Sequence, residues 1–284
     1  MATTSSIINI ITFILSTAFY YLVLKPKLTY DIMNNTEEYK SYTKSYYKSL
    51  GIYLLLVIIV QFIINITAVA SKCGGSLNTN MGTAALFTFF PWLLIFGIML
   101  IVLIMYPGFK TAFSDVIGYF YVSGSANIVL TELLINKNIQ KQIDESSATL
   151  KEKEDLENAA DAIIKICGNT SILINQIVPN NFVNYWSLLK PLMKKQYQID
   201  SPETIEKRNK LFDLVVTRDT IGEMVWYLYT GLLLSSIVQM KISTTPCYVS
   251  PQQMEQNYQQ YLIQENQTQT QTATAQNSVY TITT

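Results

Sequence analysis

Apolar positions in this chain gather into long runs without the polar interruption every three to four residues that marks a soluble core helix. The clearest run lies inside residues 82–127. No charged side chain stands between Lys72 and Lys110, and 84–105 is almost continuously apolar. As a helix, that stretch is long enough to cross bilayer hydrocarbon, which takes about 20 residues. Pro91 removes one backbone hydrogen bond and crowds the carbonyl of Phe87, so a kink is expected within the first two turns. Pro107 and Gly108 end the run. The mixture after Lys110, with Asp115, Ser123 and Asn127 among Val116, Phe120 and Tyr121, suits an interfacial helix better than another crossing. Two more spans are expected over 7–24 and 50–70. The first has its positive charges, Lys25 and Lys27, after the apolar run, and Phe19, Tyr20 and Tyr21 crowd its end. Those flanks favour an uncleaved anchor over a signal peptide.

Beyond residue 136 the pattern changes to that of a water-soluble helical region. Residues 144–167 place Leu150, Leu156, Ile163 and Ile164 on one face and Lys151, Glu152, Glu154 and Glu157 on the other, an amphipathic helix whose charged side is read as its solvated face. The 182–197 segment carries Tyr185, Trp186, Leu188, Leu189 and Met193; packing as core and lying on the membrane surface both remain open for it. Ser201, Pro202 and Glu203 make a helix start of cap, first-turn proline and first-turn acid. An uncharged stretch before Lys241 predicts a fourth span over 223–241, at the short limit for a crossing. The resulting division is a membrane domain over 1–127, a soluble or membrane-surface helical domain over 128–222, the fourth span, and a polar low-complexity tail over 242–284 that buries too little apolar area to fold alone. The fold class is therefore all-α, a polytopic membrane protein of three to four spans with a small amphipathic helical domain.

Composition narrows the functions. Of 284 residues 49% are hydrophobic and only 14% charged, below the quarter usual in soluble domains. Twenty basic and twenty acidic residues balance, and no basic block exists to track phosphates, which argues against nucleic-acid binding. The absence of histidine removes the usual general base and commonest metal ligand, so neither an enzyme nor a cofactor is expected.

The remaining candidate residues concern assembly of the spans. Lysines crowd 25–49 and the chain beyond 110, whereas the loop after the second span has only Lys72; the positive-inside rule puts the first two regions on the cytosolic side. Asn9, Thr12 and Ser16 form a stripe on the first span, and Gln61 and Asn65 lie one turn apart in the second. Buried amides need partners in hydrocarbon, so the two spans are expected to meet along this seam, with Ser16 level with Gln61 and Asn9 to Thr12 level with Asn65. The alternative is that the hydroxyls bond to their own helix. With Pro91 these are the helix-packing candidates. If the fourth span crosses, Cys73 and Cys247 share one side and Cys167 the other, so only the first two can form a disulfide, in an oxidising compartment.

The segment GTAALFTFFPWLLIFGIMLIVLIMYPGFKTAFSDVIGYFYVSG, together with VWYLYTGLLLSSIVQM and the following Cys247, resembles a family of multi-span proteins from nucleocytoplasmic large DNA viruses. The resemblance covers about half the chain and rests on FPW, YPGFKTAFSD and WYLYTG rather than on a catalytic signature. It implies a virion component, a minor capsid protein being one such role, embedded in the internal membrane and placed in host intracellular membranes during assembly. The expected partners are the lipid bilayer and capsid-layer proteins, with self-association left open. The rival class is a channel, transporter or fusion-related factor.

Overall fold

The computed structural model describes residues 2–74, 76–134, 170–247, 254–256 and 258–265. Among them the chain is helical throughout, with no strand beyond one isolated bridge between Leu134 and Met193. The principal helices are α1 (Ala2–Phe19), α2 (Tyr30–Asn34), α3 (Thr36–Cys73), α4 (Leu77–Pro91), α5 (Gly97–Met105), α6 (Thr111–Phe113), α7 (Tyr119–Leu133), α8 (Thr170–Gln176), α9 (Phe182–Leu189) and α10 (Pro202–Thr244). Four stretches are long and apolar enough to span a membrane: Ile7–Leu24, Thr36–Cys73, Leu77–Met105 and Pro202–Thr244. Their outward faces carry exposed Leu15, Leu22, Leu55, Leu86, Phe90 and Ile101. An exposed apolar belt around all the spans is the surface a bilayer covers.

Boundaries differ from the sequence expectation where local chemistry extends a helix. The second and third spans both grow into the loop expected between them, because Ser76 caps α4 through the Thr79 amide and Gly74, at a positive φ of +71° that favours glycine, closes α3 with its N–H on the Ala70 carbonyl. Pro91 does not stop its helix. The ladder widens into a π turn over Trp92–Phe96 and resumes as α5, the usual way a helix absorbs a missing donor. That turn directs Trp92 and Phe96 inward, both fully buried, with ring centroids 5.4 and 5.9 Å from Phe13. The stretch after Lys110, expected as an interfacial helix, follows a 3-10 turn at Pro107–Lys110 and forms α6, a π turn at Ser114–Gly118 and α7, packed on α10. Their outer face still exposes Val116, Phe120 and Tyr121.

The fourth span is not a separate element. α10 starts at the Ser201 cap and runs 43 residues through the boundary drawn at 222/223, so soluble domain and span share one helix. Gly222 and Gly231, which weaken helices in isolation, are contact points here. A Cβ on Gly231 would stand 1.9 Å from the Phe13 ring, so that ring rests directly on α10 backbone. The extramembrane core joins Leu28 and Tyr30, Leu130 and Leu133 of α7, and Leu211 and Phe212 of α10. Phe182, Trp186, Leu189, Met193 and Tyr197 are buried in this same core, so the inner face of 182–197 packs against protein, while Leu188 stays exposed. The 144–167 helix, Cys167 and residues 266–284 of the tail lie outside the described residues. Within the tail, 254–256 and 258–265 are helical.

Candidate functional site

Two polar centres organise the bundle, one within the spans and one at the ends that carry Lys25 and Lys110. The inner one is built on Asn65. Its amide donates to Thr88 Oγ1 at 2.9 Å, and its carbonyl oxygen accepts from Asn9 Nδ2 at 3.2 Å and Gln239 Nε2 at 3.0 Å, so all four spans meet at one side chain. Gln61 reaches the backbone carbonyl of Asn9 at 3.4 Å. Thr12 and Ser16 take no part in an interhelical seam. Their hydroxyls donate to Ile8, Asn9 and Thr12 carbonyls of their own helix, the local alternative open to any hydroxyl near a backbone oxygen. The hydroxyl that does cross between the first two spans is Thr17, 2.8 Å from Tyr53 Oη. Pro91 makes no polar contact of its own and acts through the π turn that follows it.

At the opposite end from Lys25 and Lys110, Cys73 and Cys247 form a disulfide with Cα atoms 5.2 Å apart. Beside it, Lys72 Nζ donates to the Ile242, Ser243 and Thr245 carbonyls at 2.8, 2.7 and 2.5 Å. A cation on the last turn satisfies orphan carbonyls and complements the helix dipole. Covalent bond and ammonium together pin the end of α10 to the end of α3.

The second centre surrounds Glu223, whose side chain is only 1% exposed. One carboxylate oxygen accepts from Lys25 Nζ at 2.9 Å and Tyr21 Oη at 3.1 Å; the other accepts from Tyr46 Oη at 3.0 Å and lies 3.1 Å from Lys110 Nζ. Lys110 also donates to Asp219 at 2.9 Å, and Lys25 to Thr220 at 3.2 Å. Burial by itself pushes the Lys110 ammonium down, but Glu223 and then Asp219 outweigh it and hold this lysine above its ordinary value. One turn earlier on α10, the buried Arg218 guanidinium donates to the carbonyls of Ile174 and Ile177 and to Asn175, closing the C-terminal end of α8. Asp115 lies 3.8 Å away. These contacts need a close helix crossing, which Gly118 permits: a Cβ there would meet the Arg218 carbonyl oxygen at 2.5 Å.

None of the Glu223 group was singled out by sequence reasoning, nor were Thr88 and Gln239. The signal was present as coincidence of depth: Lys25 follows the first span, Lys110 the third, and Glu223 precedes the fourth. Comparison with protein-family models, with curated proteins and with solved structures finds no match. The chain's own geometry therefore carries the functional reading. Two lysines against two acids make a neutral clamp. Among the described residues, no group of three potential metal-binding acids or cysteines comes together.

Proposed function

We propose that the chain is a structural membrane protein of a virion, anchoring the internal lipid membrane to capsid-layer proteins. The observation that supports this reading most directly is the continuity of α10, from the extramembrane core through the Glu223 clamp to the disulfide. A helix fixed at three levels holds an extramembrane domain at constant height and orientation over a bilayer, as an anchor requires and a gated channel does not. The polar residues within the spans also point to assembly. Those around Asn65 are spent on one another rather than lining a path. The viral setting comes from the FPW, YPGFKTAFSD and WYLYTG resemblance alone.

Cross-linking in purified particles tests the proposal. Capsid-layer proteins should be captured from residues 128–222 or 242–284, and deletion of residues 250–284 should leave membrane insertion intact while loosening membrane from shell. Absence of the chain from particles would defeat the proposal, as would normal particles from the deletion combined with no capsid cross-link to the helical domain. Ion flux through proteoliposomes of the purified chain would instead favour a channel or transporter.

A further inference from the structure

Above the Glu223 clamp lies a half-open cleft of about 830 Å³, inside the range of roughly 300–1,000 Å³ for small-molecule sites. Its place in the fold is specific. Leu22, Leu103 and Ile104 line it from the Lys25 end of the first span and the Lys110 end of the third, while Val178 and Pro179 line it from the extramembrane domain. The cleft therefore opens at the level where lipid headgroups meet hydrocarbon, and Leu22 at its edge is 84% exposed.

The chemistry of the walls selects the occupant. Six charged residues line the cleft: Lys25, Lys27, Lys110, Asp213, Asp219 and Glu223. Lys25, Lys110, Asp219 and Glu223 neutralise one another in the clamp. Lys27 and Asp213 are both exposed and have no ion pair or hydrogen bond among the described residues. One free cation and one free anion in the same cleft fit a ligand that itself carries both signs. An anionic headgroup would leave Asp213 uncompensated, and a simple cation would leave Lys27. The third wall is aromatic. Tyr39, Tyr42 and Tyr46 repeat along one face of α3, with successive rings nearly parallel (20° and 17°) at centroid separations of 6.2 Å. Aromatic faces attract ammonium groups, quaternary ones included.

We propose that this cleft binds the headgroup of a zwitterionic phospholipid. Its phosphate faces Lys27, its ammonium faces Asp213 and the tyrosines, and its acyl chains leave past Leu22 and Ile104 into the bilayer. The site is independent of whichever protein the chain contacts outside the membrane.

Native mass spectrometry of the full chain in mild detergent, supplied with phosphatidylcholine and phosphatidylglycerol in equal amounts, tests the assignment. The wild type should retain one phosphatidylcholine in preference to phosphatidylglycerol. The double variant Lys27→Ala, Asp213→Ala should retain about a hundredfold less, the scale of two lost charge-assisted contacts at about tenfold each. Tyr42→Ala, which leaves every charge in place, should lower retention as well. Both charged positions are exposed, and an intact Cys73–Cys247 bond on a non-reducing gel verifies that the variants assemble. Equal retention by wild type and both variants would overturn the proposal, and so would preference for phosphatidylglycerol. Free phosphocholine competing as strongly as the lipid would overturn the lipid as occupant.

Discussion

Replacing Glu223 with Gln is the sharpest probe of the clamp. The amide keeps the shape and an acceptor for one of Tyr21 and Tyr46, which donate to different carboxylate oxygens, so the change removes the charge and turns the other tyrosine hydroxyl from donor to acceptor. In its absence Lys25, with a side chain 13% exposed, retains Thr220 and the face of the Tyr21 ring, while Lys110, 14% exposed, still holds Asp219 at 2.9 Å. Removing one partner of a buried ion pair costs about 3–5 kcal/mol. Because both ammonium groups keep some access to water and one keeps an acid, the low end applies, about 3 kcal/mol. Lys25→Met should cost less, since Glu223 then retains Lys110 and both tyrosine hydroxyls. The double variant should cost less than the two singles together, by about 1 kcal/mol or more. The assay is equilibrium unfolding in mixed micelles, followed by circular dichroism, with all three variants compared at one detergent composition. A Glu223→Gln change below about 0.5 kcal/mol, the level of ordinary surface substitutions, would refute the reasoning, as would strict additivity of the two singles.

Three further outcomes follow from the bundle. Asn65→Leu removes contacts to three other spans and should destabilise by about 2 kcal/mol at about 0.6 kcal/mol per contact, while Thr12→Val, which breaks only local bonds, should change little in the same unfolding assay. Gly231→Ala should destabilise by about 1–3 kcal/mol through overpacking on Phe13, and Phe13→Leu in the same chain should recover part of the loss. After mild reduction, a membrane-impermeant thiol reagent should label Cys73 and Cys247 from one face only, the face opposite Lys25; labelling of the two from different faces would contradict four crossings.

What the sequence made legible was set by how local each signal is. Charge-free runs identify spans because hydrocarbon tolerates little else, and the cap at Ser201 with Pro202 locates the start of α10 to the residue. The Asn9 and Asn65 contact was readable from depth alone, since antiparallel helices of known ends fix which levels coincide. Thr12 and Ser16 were misleading because a hydroxyl, unlike an amide, can be satisfied by its own helix. The clamp was illegible for a different reason. Glu223, Lys25 and Lys110 each look like an ordinary span boundary, and only the three-dimensional arrangement of four helices makes them one site. Gly231 likewise reads as a weak point until Phe13 is seen lying on it.

The disulfide has a topological consequence. Joining Cys73 to Cys247, 174 positions apart in the sequence, closes the intervening chain into a covalent ring that threads the bilayer. A single proteolytic cut anywhere between those cysteines opens the ring without dividing the molecule. The pieces migrate as one chain until the bond is reduced, so both halves stay attached even after a loop between the two cysteines is nicked.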